Sequence, residues 1–335
     1  MQHPILQGSA KMTAAMLISG TIGWFVLMSG QGVTNVVFWR CVFGAATLFV
    51  VCLALGLFRR DVLSSRFLVL AMLGGVAIVL NWLLLFASYS RASISIATVV
   101  YNTQPFMLVA FGVFLFRERI TFDKLGWLGL AFAGMLLIVQ ARGGSAYAAG
   151  TDYLAGVALA LGAAFLYAIA AVVAKYLKGI PPHLIAFIQV SVGVVLLAPL
   201  ADFAALPAGG VEWSSLAALG IVHTGLMYVL LYGAIQQLPT SLTGALSFIY
   251  PVAAISVDYF AFGHQLQGIQ LFGSAAILLA AAGMNLGWSL PRPSKGKCTA
   301  DPMAADRSEP DAAQAGLVHP QATLPVPVRD RLTGE

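Results

Sequence analysis

The chain has 335 residues, of which 59% are hydrophobic and only 9% are charged. Soluble domains carry about a quarter charged residues, so the composition excludes a soluble globular protein and places the chain in lipid. The formal net charge of +5 does not point to nucleic acid, because the basic residues collect at the ends of apolar stretches rather than in a patch.

Apolar stretches long enough for the roughly 17–25 residues that cross a bilayer core follow one another along the chain. They run Met12 to Ser29, Val33 to Phe58, Phe67 to Tyr89, Ser93 to Phe116 and Leu125 to Ala141. After a link over 142–152 they continue as Tyr153 to Tyr176, His183 to Leu200, Trp213 to Gln236, Thr240 to Gly263 and Gly268 to Leu290. The sequence therefore predicts an all-α polytopic membrane protein with ten spans. The first apolar stretch is too long for the core of a cleaved leader and reads as a span. A short segment, 1–11, precedes it, and 291–335 is polar, rich in Pro and Ala, and reads as a disordered tail. With the N-terminus placed inside, twelve Lys and Arg fall on the inner side and three, Arg40, Arg91 and Arg142, on the outer. That bias predicts cytoplasmic termini and a periplasmic link over 142–152.

Taken in chain order, the spans hold few polar side chains. Span one carries Trp24. Span two carries Arg40 in "NVVFWRCVFG", two turns in from Val33, where its stem could carry the charge to the outer interface beside Trp39. Spans three and four hold Asn81, Asn102 and Gln104, amides that could join helices or offer hydrogen bonds to cargo. Pro105 follows directly and frees a backbone carbonyl one turn earlier. Glu118, between Arg117, Arg119 and Lys124, reads as a surface ion-pair member. Span eight carries His223, which could relay protons or pack as a neutral ring. Span nine carries Tyr250, Pro251 and Asp258. An acid at Asp258 costs about 2.5–3.5 kcal/mol on insertion scales unless it meets water or a partner. It is therefore the leading proton- or amine-binding candidate, with a structural hydrogen-bonding role as the alternative. On that reading, Asp258→Asn abolishes any pH dependence of activity. Cys41, Cys52 and Cys298 show no metal-ligand spacing, no phosphate loop is present, and no cofactor or catalytic set is expected.

The chain repeats. Trp82, Phe86 and Pro105 match Tyr228, Tyr232 and Pro251 at the same spacing, and Glu118 then matches His264. "FWRCVFG" (38–44) faces "FIQVSVG" (187–193), which pairs Arg40 with Gln189 and favours helix bracing for both. Five spans per half is odd, so the second half is inverted relative to the first. Inverted repeats are a recurring transporter architecture, with the cargo site near the midplane and broken helices, here at Pro105 and Pro251, taking part in movement.

On these residues the chain resembles the drug/metabolite transporter superfamily, in particular its EamA-type permeases. The matching features are Arg40 early in span two, the span-four proline, "FLFRERIT" followed by "GWLGLAFAGMLLIV", "GVALALGAAFLYAIAAVVAKYL" and "PTSLTGALSFIYPVAAISVDYFAFG". The resemblance covers about 12–290, as repeats 12–141 and 153–290. It departs at His264, where the family usually has a Glu. It implies an inner-membrane secondary transporter of small organic metabolites, with amino acids and related compounds expected as cargo and export favoured over uptake. Coupling to protons belongs to the same expectation. The small residues of "GWLGLAFAG" and "GSAAILLAAAG" suit helix packing or a homodimer. The rival expectation is a membrane-embedded binding scaffold or enzyme.

Overall fold

The structure, a computed structural model, describes residues 2–59, 64–92, 94–140, 152–262 and 267–289. The link over 142–151, the tail from 291, Arg142 and His264 lie outside the described residues, as does the side chain of Asp258. Among the described residues every regular element is helical. A bilayer offers no water to unpaired backbone groups, so a helix, which pairs them within itself, is the form an apolar run must take.

Ten helical segments are long and apolar enough to cross a membrane. Those of the first half are Pro4–Met28, Val33–Ala54, Ser65–Tyr89, Ile96–Phe116 and Phe122–Gln140. The second half gives Tyr153–Tyr176, Pro182–Leu200, Gly210–Gln237, Thr240–Ala261 and Gly268–Leu286. The first helix begins earlier than hydropathy predicts, at Gln2, because polar residues continue a helix once it emerges from lipid.

Packing follows the repeat. Span three packs on span six, and span eight packs on span one; three also meets seven, and eight meets two. Span four lies on six and nine on one, while two pairs with seven, four with nine and five with ten. Each contact has its counterpart under exchange of the halves, as a two-fold relation between five-helix repeats requires.

Four spans are interrupted. Span four is Ile94–Tyr101 followed by Gln104–Phe116, and the break falls just before Pro105. Span nine is Thr240–Ser247 followed by Ile249–Phe262, with Pro251 in the first turn of the second piece. Proline lacks an N–H and clashes with the carbonyl one turn earlier, so each helix restarts with proline where no donor is needed. Span one breaks at Thr21, between Gln2–Gly20 and Ile22–Met28. Span eight contains a π-turn over Ile221–Leu226.

Spans five and ten approach backbone to backbone. A Cβ at Gly134 would lie 2.6 Å from the Gly273 carbonyl oxygen, and one at Gly273 would lie 2.5 Å from that of Gly134. The small-residue motifs of these two spans thus pair with each other inside one chain.

Candidate functional site

The polar centre is built around the π-turn of span eight. Gly44 and Gly220 let spans two and eight touch; a Cβ at Gly44 would lie 2.7 Å from Thr224 Cγ2, and one at Gly220 would collide with Phe43. The widened turn lets Thr224 Oγ1 donate to the Leu219 carbonyl, five residues back, at 2.8 Å. The same oxygen accepts from Arg40 Nε at 3.1 Å, and Arg40 Nη2 donates to the His223 carbonyl at 3.5 Å. The guanidinium lies over the Trp82 ring, 4.4 Å from its centroid.

Arg40 therefore does not run out to the interface. It is only 3% exposed. The Thr224 hydroxyl, the His223 carbonyl and the Trp82 face solvate it within the bundle, whereas lipid would offer nothing. Among the described residues no carboxylate pairs with it. Trp39, the expected interfacial companion, packs edge-on against Trp213 at 5.0 Å instead.

An aromatic ladder leads from Arg40 to its repeat mate. Trp82 meets Tyr228 at 6.0 Å, Tyr228 meets Tyr232 at 5.3 Å, and the Tyr232 hydroxyl donates to Gln189 Oε1. The repeat-related positions thus stand at the two ends of one buried ladder.

His223, 1% exposed, faces span one. Its Nδ1 lies 3.1 Å from the Ala218 carbonyl oxygen, and its Nε2 lies 2.7 Å from Thr21 Oγ1. Phe25 covers the ring, with centroids 5.0 Å apart, and Trp24 packs edge-on against Phe25 at 4.9 Å. On the far side of Thr21, Trp24 and Phe25 is an open hollow of about 280 Å³, shared with Ser256, Val257, Phe260 and Ala261 of span nine. A larger hollow of about 380 Å³ lies apart from this centre, between Arg66 and Tyr176 at the basic end.

The other candidates are dispersed. Asn81 Nδ2 donates to the Ala163 carbonyl of span six at 2.7 Å and reaches the Tyr101 hydroxyl at 3.4 Å. Its Oδ1 is buried without a donor among the described residues. Asn102 turns back onto its own helix, donating to the Thr98 carbonyl at 2.8 Å. Gln104 is buried at the head of the second piece of span four, and Tyr250 is half-buried beside the break in span nine. The three amides therefore do not converge. Trp24 and His223 do share one locality, joined by Thr21 and Phe25, which carried no signal in the sequence.

Glu118 pairs differently from expectation. Its Oε1 meets Lys175 Nζ of span six at 2.9 Å, rather than Arg117, Arg119 or Lys124. Its Oε2 accepts from the Thr240 amide at 2.8 Å and the Thr240 hydroxyl at 2.6 Å. Lys175 also donates to the Leu238 carbonyl at 2.6 Å. The cause is local: Arg117 takes a left-handed backbone, φ 53°, which ends span four and turns the next side chain inward. Burial alone would raise the Glu118 carboxyl. The Thr240 and Lys175 hydrogen bonds and the Lys175 charge together outweigh it and hold the group below the usual carboxylate range.

Sequence comparison agrees with this architecture. The model of the EamA-like transporter family matches residues 8–140 and again 154–286, one match per repeat. The uncharacterized transporter YxxF of Bacillus subtilis (strain 168) is 30% identical over 82% of this chain and 88% of its own length. An uncharacterized transporter of Archaeoglobus fulgidus is 28% identical over 84% of this chain and 96% of its own. A crystal structure at 21% identity superposes with a TM-score of 0.72, covering 82% of this chain and 96% of that one, and has the same fold. With both halves matched in register with the ten spans, the chain belongs to the EamA-like transporter family.

Proposed function

We propose that this multi-pass membrane protein is a secondary transporter moving small organic metabolites by alternating access. Amino acids and related compounds are the leading cargo class, and export is favoured over uptake. The observation that supports this most is the junction of the two halves. There the break of span one and the π-turn of span eight join Thr21 to His223 beside the buried Arg40–Trp82 pair of spans two and three, and Thr21 and Trp24 also line a hollow shared with span nine. The halves rock about this junction, with the breaks before Pro105 and Pro251 absorbing the change in helix direction. The distribution of Lys and Arg supports cytoplasmic termini, and the membrane on this reading is the bacterial inner membrane. Movement is coupled to protons, and no enzymatic step is part of the cycle.

Proteoliposomes loaded with an equimolar mixture of the twenty protein amino acids test the reading. Mass spectrometry of the external medium is expected to show release of a subset, unmodified, under an imposed pH gradient. Trp24→Ala is expected to slow that release about tenfold by removing a wall of the hollow. Release no faster than from protein-free vesicles for every compound overturns this cargo class, and chemically altered products overturn simple transport.

A further inference from the structure

Two backbone irregularities meet at one side-chain contact. The break in span one falls at Thr21, the π-turn of span eight carries His223, and Thr21 Oγ1 touches His223 Nε2 at 2.7 Å. π-turns arise mostly at functional positions because they sacrifice regular helix geometry. This contact joins the first repeat to the second.

The hydrogens in this contact can be counted. Three contacts lie in a row: Thr21 Oγ1 to the Ile18 carbonyl at 2.8 Å, Thr21 Oγ1 to His223 Nε2, and His223 Nδ1 to the Ala218 carbonyl at 3.1 Å. Both ends of the row are carbonyl oxygens, which only accept. A neutral imidazole brings one N–H and the threonine one O–H, so two hydrogens face three contacts. Because the Ala218 carbonyl can only accept, the neutral ring's hydrogen is assigned to Nδ1. The threonine hydrogen must then serve either Nε2 or the Ile18 carbonyl. Uptake of one proton at Nε2 supplies the third hydrogen. The threonine hydroxyl then turns to Ile18, Nε2–H donates to Thr21 Oγ1, and every contact is made.

We infer that His223 is the proton-binding residue of this protein, exchanging its proton at Nε2 beside the Thr21 hydroxyl and strapping span one to span eight when charged. The inference rests on the transport reading for its role in a cycle. Thr21 both lines the hollow and touches the ring. The groups around the ring are few. Span one contributes Thr21 and the apolar Phe25. Span two contributes the charge of Arg40, held on the carbonyl of His223 itself. Span eight contributes Tyr228, one turn on, and span nine contributes Ser256 at the hollow. The side chain of Asp258 lies outside the described residues. The Arg40 charge opposes the imidazolium. An anionic cargo group approaching Arg40 would therefore favour protonation, which links cargo to proton with a defined sign.

Full-length protein labelled with [15N]histidine in lipid nanodiscs provides the test. Of the five histidines in the chain, the resonance lost in His223→Gln identifies the ring. Magic-angle-spinning spectra are expected to show both ring nitrogens protonated near about pH 5 and the Nδ1–H tautomer near about pH 9. Thr21→Val, which keeps the shape and removes the acceptor for Nε2–H, is expected to lower the midpoint by about one pH unit, and Thr21→Ser to restore it. An Nε2–H tautomer at high pH, a ring that does not titrate in this window, or a midpoint indifferent to Thr21→Val overturns the inference. In amino-acid-loaded proteoliposomes, His223→Gln is expected to flatten the pH dependence of release. Dependence that survives His223→Gln but disappears in Asp258→Asn also overturns it. Absence of release from the unmodified protein defeats the amino-acid cargo reading instead, and the spectra still decide whether His223 takes up the proton.

Discussion

At the basic end of the bundle, Glu118 of span four reaches Lys175 of span six and Thr240 of span nine. Pro105 and Pro251 are 146 residues apart, and shifting the three clasp positions by that interval gives His264, which lies outside the described residues, Ser29 and Ile94. Neither a carboxylate nor a lysine is among them. At the far end of span one Ser29 donates to the Val26 carbonyl at 2.6 Å within its own span, and the Trp24 hollow opens between spans one and nine. The inverted repeat thus keeps its helix frame while the chemistry at its two mouths has diverged. One mouth is held by an ion pair and its hydrogen bonds across three spans, whereas near the other the described residues are tied by neutral hydrogen bonds from Asn35 of span two to Asp202 and Ala205. On the alternating-access cycle proposed above, the clasp favours closure at the basic end and opens once per turn.

The comparison is broken most severely by giving both mouths a clasp. Ser29→Lys combined with His264→Glu is expected to slow exchange at least about tenfold while raising Tm, measured on proteoliposomes and on detergent-solubilised protein. Unchanged exchange would show that the two mouths do not alternate. Removing the existing clasp comes next. Lys175→Ala leaves Glu118 without its cation at a site where the two side chains are 13% and 21% exposed. The expected cost is about 2 kcal/mol, and a cysteine placed in the Leu238 turn should react faster with a water-soluble maleimide. Charge reversal, Glu118→Lys with Lys175→Glu, should restore part of both. Gly112→Ala is subtler, because the added methyl would collide with Thr240 Oγ1 and push it from Glu118. About 1–3 kcal/mol of destabilisation is expected, with the larger loss when Thr240 is intact than when it is alanine.

The smallest effect is the pH dependence of the clasp. Because the folded Glu118 carboxyl titrates below its usual range, the clasp stabilises fully above the ordinary carboxylate value. That stability is lost as pH falls through the depressed folded value. The Tm difference between the unmodified protein and Glu118→Gln should therefore be constant near neutrality and shrink only in acid. A difference that grows on acidification would reverse the assignment.

The ten spans and their pairing were legible because both signals are written in single residues along the chain. Apolar length marks a span, and Trp82, Phe86 and Pro105 against Tyr228, Tyr232 and Pro251 mark the repeat. The family match at 8–140 and 154–286 and the exchange-related packing agree with that reading. Arg40, favoured in the sequence for helix bracing, lies inside the bundle rather than reaching the interface, since hydropathy gives position along a helix but not the face it turns to a neighbour. Glu118 was assigned to cations nearby in sequence, whereas its partner is 57 residues further along. The π-turn left no trace because nothing in "GIVHTGL" distinguishes a five-residue hydrogen bond from a four-residue one. Thr21 carries no signal of its own in the sequence, and its importance comes wholly from what lies opposite.

The Gly134–Gly273 crossing carries a consequence for how such a sequence can drift. Where spans one and eight meet, hydroxyl, ring and carbonyl can trade partners, and a changed side chain has neighbours able to adjust. Where spans five and ten meet, each backbone is the other's wall, and a single added carbon has nowhere to go. Substitution is therefore channelled: this seam is frozen at both glycines together, while lipid-facing positions such as Phe114 and Phe272 are free to vary in size. A library randomised at those four positions would recover diversity at two of them and glycine at the other two.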